Sequence, residues 1–435
     1  MIAAAFALAT LLASPLQDRL VVKGGRILPV SGPETEGSVL VENGRIVAVG
    51  KDVEAPYDAK VIDATGKVVF PGFIEAHTTR GLDRANESYP ITPFLSVADS
   101  LDGASFAIED ALREGITTIH VIHGNGQPIA GRGIVVRPVG RIVENMTLVP
   151  DAALKISLLP RAGGSHVSQY AEIRRAFAEL DDQLERQETK RQDDDERPRE
   201  ATPGKTETVA PKETRAEDDL EARKRTLYDV ARGRAPVFVA CNAAEVVHGI
   251  EIARKHGFLA KTTFVIGADA WRMADAIAAT GRPVVLDSEL VHRERDPISG
   301  KEVETPVAPV FAKKGVKFAL QISGGAFAQR YLNTQAATAV ASGLDRESAL
   351  KSITLWPAEI LGLGDRVGAI EKGRDGNLLI LSGDPLATAT AVETVILEGQ
   401  VVYEREKDVR LKKLLELREP PKGEPKPTTA VEEGK

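Results

Sequence analysis

The 435-residue sequence is 43% hydrophobic, 27% charged and carries a net charge of −7. That length suffices for one large α/β domain with a smaller companion, and an acidic chain with no basic tract interleaved with aromatics argues against nucleic acid as a partner. Its single cysteine, Cys241, rules out a disulfide framework and a cysteine-built zinc site.

The chain begins with an apolar run, Ile2 to Ala13, that ends in small residues before Pro15. The run is too short to span a bilayer and predicts a secretory signal over residues 1–16, hence an exported, periplasmic or extracellular protein. No Lys or Arg precedes it, and a buried N-terminal helix is the competing reading. From Arg19 to Lys67, short Val/Ile/Leu-rich segments alternate with Gly, Asn and Asp, and Asn43-Gly44 is a two-residue hairpin signal. Similar segments return over residues 365–404. The two ends are therefore expected to form one small composite β-sandwich, from residues 19–67 and 365–404.

Between them, over residues 68–364, strands alternate with helices. The predicted strands are Val68–His77, Gly115–His123, Ile134–Pro138, Ala153–Leu159, Pro236–Asn242, Thr262–Gly267, Pro283–Asp287 and Val316–Ser323. Eight near-continuous apolar strands with intervening helices fit an α/β fold of the (β/α)8 TIM-like barrel type. An open doubly wound sheet is the alternative, but no Gly-x-Gly-x-x-Gly follows the first strand. A charged insertion, Asp181 to Arg225, is almost without apolar residues; its ends read as helical and its centre, Arg197 to Glu213, as disordered. After Glu404 the composition allows one short helix and then a flexible tail over the rest of residues 405–435.

The segments "VENGRIVAVG", "VIDATGKVVFPGFIEAH", "GITTI", "SALKSITLWPAEILGLGDRVGAIEKGRDGNLLILSGDPL" and "VILEGQVVY" follow one another in an order that resembles the amidohydrolase superfamily, in its imidazolonepropionase-like branch. The resemblance covers nearly everything from Leu20 to Tyr403. It implies a β-sandwich flanking a (β/α)8 barrel, with divalent metal at the C-terminal ends of the barrel strands. Such a metal makes hydroxide available near neutral pH and polarises a carbonyl, and needs several imidazole and carboxylate ligands from different strands.

The resemblance also fixes where those ligands should be, and most are missing. The His-x-His after the first strand reads His77-Thr78-Thr79. The fifth-strand histidine falls at Ala240, with a second at Asn242, and the sixth-strand histidine falls at Ile266. The eighth-strand aspartate, ligand and general base, falls at Ser323. A threonine hydroxyl is a poor replacement for an imidazole. For the fourth-strand ligand, a carboxylate or modified lysine, the candidates are Lys155, read as facing away from the lumen, and Leu159–Pro160, which cannot ligate. Asp269 could supply one carboxylate near the sixth strand.

His123, at the end of the second strand, is expected near His77 at the barrel mouth, and His120 on the opposite face. His77 and His123, with Asp287 or Glu289, are the residues from which a metal or acid–base site could be rebuilt. His248 and His256 read as helix-surface residues, and His166 and His292 as exposed and without partners. Cys241 reads as a small core thiol. Gly131 and Arg132, in "GNGQPIAGRG", form either an anion-binding loop or a turn whose glycines need positive φ.

The sequence thus predicts a catalytically degenerate amidohydrolase-like protein that binds a small-molecule ligand or an active paralogue, with no cofactor. The alternative is a hydrolase of carbon–nitrogen, non-peptide bonds using zinc at a reduced or rebuilt site. Neither reading fixes the oligomeric state.

Overall fold

The computed structural model describes residues 18–196, 222–322 and 331–416. The apolar stretch at Ile2–Ala13, the centre of the charged insertion and Ser323 lie outside the described residues.

The N-terminal segment forms β1 (Arg19–Ile27), β2 (Thr35–Glu42), β3 (Arg45–Gly50), β4 (Lys60–Asp63) and β5 (Val68–Pro71). Asn43 and Gly44 both adopt positive φ, 49° and 79°, closing the β2–β3 hairpin with Glu42 opposite Arg45. The apolar run read as one strand from Val68 to His77 is divided at Gly72. Its first part, β5, pairs in parallel with β1; its second part, β6 (Phe73–Thr78), opens the barrel.

After β6 come α1 (Phe106–Arg113), β7 (Ile116–Val121), β8 (Ile129–Val136), α2 (Val143–Met146) and β9 (Thr147–Ser157). Helices α3 (His166–Glu196) and α4 (Ala222–Ala231) flank the undescribed part of the insertion. Then follow β10 (Val237–Cys241), α5 (Val246–Lys255), β11 (Thr262–Ile266), α6 (Ala274–Ala278) and β12 (Val284–Leu286). A separate hairpin, β13 (Val291–Arg295) and β14 (Glu302–Pro306), precedes α7 (Val307–Lys313) and β15 (Phe318–Leu320).

The sheet order is β6-β7-β8-β9-β10-β11-β12-β15, and β15 returns beside β6 without a ladder among the described residues. This is a nearly closed eight-stranded barrel, with one departure from the expected all-parallel arrangement. β8 runs antiparallel to both β7 and β9. The physical reason is the connection: only residues 122–128 separate β7 from β8, whereas a parallel crossover takes a dozen or more.

The barrel strands divide their side chains cleanly. Ala76, Ala153, Phe238, Ala240, Val265, Val285 and Ala319, from six strands, and Ile122, just after β7, form one cluster, the lumen. Their neighbours, including Leu154, Ile156, Val237, Val239, Cys241, Phe264, Ile266 and Leu286, join the larger core between barrel and helices. In that outer core Ile173, Phe177 and Leu180 of α3 pack with Leu227, Tyr228 and Val230 of α4. From Glu185 to Lys190, α3 is mainly exposed and polar, as its composition requires.

Helices α8 (Leu332–Ala341), α9 (Arg346–Lys351) and α10 (Leu355–Ile360) lead to β16 (Leu378–Leu381), β17 (Val392–Leu397) and β18 (Gln400–Glu404). These three join the N-terminal strands in the order β18-β17-β16-β5-β1-β2-β3, with β4 pairing β1 as a branch. The two ends of the chain are therefore hydrogen-bonded into one mixed sheet. The short tail helix, α11 (Val409–Glu416), is held to α1 through Asp408, which accepts from Arg113 Nε at 2.7 Å and from Tyr403 Oη at 3.2 Å.

Candidate functional site

β9 reads Ala153-Leu154-Lys155-Ile156-Ser157, and period-two geometry sends the apolar set outward. Leu154 and Ile156 enter the outer core and Ala153 the lumen. Lys155 consequently points into the lumen, which corrects its expected outward orientation. It is completely buried, and its Nζ lies 2.7 Å from Nε2 of His77.

His77 reaches that position because the β6–β7 register slips between Glu75 and Thr78. The slip lets Ala76 and His77 both face inward, while Glu75 turns outward to Arg80, 3.3 Å from its Nε. His120, two residues below Ile122 on β7, is also in the lumen rather than on the opposite face. Its Nδ1 donates to the Ala76 carbonyl at 2.9 Å, and its ring meets Phe238 edge-on at 4.7 Å. Phe238 is shared, since His77 stacks near-parallel to it at 6.3 Å.

The electrostatics follow from burial. Burial holds the Lys155 amine down to about 7, far below the usual lysine range. Burial, and then the neighbouring Lys155 and His120, hold His77 well below the usual histidine range; burial pushes His120 down to about 4. The imidazole is therefore neutral, and the 2.7 Å contact is a hydrogen bond between Nζ and Nε2. Gln321 lies close enough to favour the protonated ring weakly, yet makes no hydrogen bond of ordinary geometry to Nδ1.

His123 does not join this group through any hydrogen bond. Its ring covers the backbone of β8, where a Cβ on Gly131 would come 2.8 Å from Nε2; a Cβ on Gly133 would come 2.6 Å from His120 Nε2. These glycines are present for close approach, not for positive φ: none of Gly124, Gly126, Gly131 and Gly133 adopts it. Nor is the loop a free anion cradle. The Gly124 and Gly126 N–H groups donate to the Ala85 carbonyl and to Asn86 Oδ1, at 2.7 and 2.8 Å, and Arg132 pairs with Asp151. Arg132 instead lines a cleft of about 860 Å³ outside the lumen, with Phe94, Asp151 and Asp229.

The remaining expected positions are dispersed. Thr79 is half-buried, and the Thr78 hydroxyl accepts from the Arg80 N–H. Ala240 faces the lumen, opposite Val265 in the β10–β11 register. Ile266 lies in the outer core, so the sixth strand presents Val265 inward. Asn242 forms a capping box with Glu245 and comes to rest against Gly267. Asp269 accepts from the Ala243 N–H, stitching the loops after β10 and β11 together. Asp287 is exposed and bound by Ser288. Burial of Cys241 in the outer core pushes its thiol up. Two histidines read as lacking partners have them: His166 meets Glu245 at 2.8 Å, and His292 lies 3.8 Å from Glu294.

Divalent zinc takes about four N, O or S ligands. Among the described residues no three His, Cys, Asp or Glu side chains come together as a metal group. Of the two inward imidazoles, His77 commits Nε2 to its contact with Lys155, and His120 Nε2 has no hydrogen-bond partner among the described residues and lies against Gly133. The described residues do not fit the metal centre that the barrel would carry. What they offer is a desolvated amine and a neutral imidazole in hydrogen-bond contact.

Comparison with known proteins gives a consistent picture. The profile described as "Amidohydrolase family" matches residues 323–403. Amidohydrolase tasK of Hapsidospora irregularis is 25% identical over 413 residues, covering 85% of this chain, which spans 40% of that relative's length. A dihydroorotase of Geobacter sulfurreducens is 46% identical over 59 residues, 13% of the chain. Among solved structures, an amidohydrolase from Thermotoga maritima superposes with a TM-score of 0.74 at 27% identity, covering 89% of this chain and all of the other.

Proposed function

Since the chain belongs to the amidohydrolase superfamily, we propose that it keeps the superfamily's barrel without its hydrolytic metal chemistry and acts by binding a small-molecule ligand or an active paralogue. One observation carries the reading. The lumen positions that would converge on a metal hold Ala240 and Val265, and the surviving imidazole is engaged by a lysine amine. Fold alone is a weak guide here, because chemistry resides in the site.

A second reading, metal-dependent hydrolysis of a carbon–nitrogen bond at a rebuilt site, is favoured by the same lysine. A neutral buried amine can take up carbon dioxide as a carbamate, which would place an anionic oxygen donor beside His77. The two readings separate in an assay of amide, lactam and dipeptide substrates with added zinc and bicarbonate against the same assay with a chelator. The expected result is no difference between the two. Turnover that appears with zinc and is abolished by the chelator would establish the second reading instead.

A further inference from the structure

The cleft of about 860 Å³ that Arg132 lines lies outside the lumen, at the N-terminal end of β10. Arg234, Ala235 and Pro236 of its wall lead into that strand, whereas Asn242 follows the strand's other end. Three guanidinium groups reach the cleft from three segments: Arg132 from β8, Arg225 from α4 and Arg234 from the link between α4 and β10. Two carboxylates, Asp151 and Asp229, line it with them, and Arg223 sits over the ring of Phe94, 5.4 Å from its centre, at the cleft wall. A chain with a net charge of −7 thus gathers an excess of positive charge around one concavity.

The aspartates orient the arginines rather than cancel them. Arg132 pairs with Asp151 and reaches the Phe94 carbonyl at 3.4 Å, and Arg234 Nη1 lies 3.7 Å from Asp229 Oδ1. A guanidinium has five N–H donors, of which one carboxylate takes two at most, so such a pair leaves donors for a further anion. Arg225 and Arg234 make further interactions of their own, and the same surplus applies to them. Asp151 is presented by a distorted backbone. Between the pairs Val135–Val149 and Gly133–Ala153, β8 has one residue and β9 has three, and within that bulge Asp151 adopts a φ of 51°. A bulge re-aims a side chain, and a left-handed residue other than glycine is strained in the way that ligand sites collect.

We propose that this cleft binds a small organic phosphate, its phosphate group held by Arg132, Arg225 and Arg234. Guanidinium forks match phosphate oxygens two at a time. The N–H groups of Gly124 and Gly126 are committed elsewhere, so side chains carry the recognition. The volume is far more than inorganic phosphate fills and falls in the range of small-molecule sites. Phe94, Leu154 and Pro236 offer an apolar wall to the rest of the ligand, and the two aspartates can accept from its hydroxyl or amino groups. The site owes nothing to the lumen, so it goes beyond the metal-free reading and stands or falls separately from it.

The test is calorimetric titration of the full chain, in chelator, with ribose 5-phosphate, adenosine 5′-monophosphate, inorganic phosphate and adenosine. The expected result is binding of at least one ester, one per chain, about tenfold or more tighter than inorganic phosphate or adenosine, a difference of one or two charge-assisted hydrogen bonds. Adenosine monophosphate alone would assign a nucleotide to the site; equal binding of both esters would assign the sugar phosphate they share. Raising sodium chloride from about 50 to 500 mM shortens the screening length about threefold and should weaken the binding severalfold. Arg225 is exposed on α4, so Arg225→Gln leaves the fold intact, and it should weaken the ester about tenfold. Arg175→Gln, on the exposed face of α3, should change nothing. No binding of either ester at millimolar concentration would overturn the proposal. So would inorganic phosphate binding as tightly as the esters, or ester binding indifferent to Arg225→Gln. None of these results alters the metal content of the lumen, which is measured separately.

Discussion

Replacing Lys155 with methionine is expected to stabilise the protein below neutral pH, with the gain disappearing as the pH rises. The folded-state amine is held down to about 7, against an ordinary value of 10.5 in the unfolded chain. Between those two values the unfolded state binds more protons, so stability rises with pH across that window. Below about pH 7 the wild-type chain must fold with a charged, desolvated ammonium, a penalty on the order of 4–5 kcal/mol that methionine escapes. Loss of the hydrogen bond to His77 Nε2 subtracts a pH-independent contribution of about 1–3 kcal/mol. The diagnostic is therefore the slope: urea midpoints of the two proteins should converge between about pH 7 and 10. Parallel curves would mean that the amine is not desolvated, and the description of the lumen would be wrong.

The second large effect concerns the other side of β6. Arg80 pairs with Glu75 at 3.3 Å and donates to Glu114 at 2.8 Å and to the Ala107 carbonyl at 2.9 Å, nearly all of it buried. Even beside Arg80, burial raises Glu75 to about 7. Arg80→Ala would leave two adjacent carboxyl groups with no cation between them, and is expected to lower stability by about 3–5 kcal/mol. The sign of its pH dependence is fixed. The folded state holds the Glu75 proton more tightly than the unfolded state, so stability falls as pH rises from about 4.5 to 7, and removing Arg80 steepens that fall. The deficit should be smaller at pH 5 than at pH 8, and Glu75→Gln in the same chain should recover part of it. A uniform loss below about 1 kcal/mol would show the group to be solvated.

Much of this architecture was legible in the sequence. Asn43-Gly44 gave its hairpin, each of the eight apolar segments contributes a barrel strand, although Val68–Pro71 of the first belongs to the other sheet, and the two β-rich ends meet, in one mixed sheet where a sandwich was expected. What escaped was the direction of individual strands and side chains. An antiparallel β8 leaves no trace in its composition; it shows only in the short link from Val121 to Ile129, too brief for a crossover. The inward turn of His77 depends on a register slip that no local pattern records. Lys155 is different, because its signal was present. Ala153, Lys155 and Ser157 alternate with Leu154 and Ile156, and counting that period places the amine in the lumen. The same count puts Val265, not Ile266, on the inner face. Motif alignment locates residues along a strand, whereas alternation decides which side they serve. Gly131 and Gly133 make a related point: their role as landing places for histidine rings depends on β7 lying across β8.

The central claim, that the lumen holds an amine–imidazole pair in place of a metal centre, is tested most directly by elemental analysis. The purified protein would be incubated with zinc and manganese in bicarbonate, dialysed, and its metal content measured beside a Lys155→Met variant. The expected result is far less than one equivalent of metal in both. Near-stoichiometric metal in the wild type, absent from Lys155→Met and from His77→Gln, would contradict the account and place a working metal centre on the lysine.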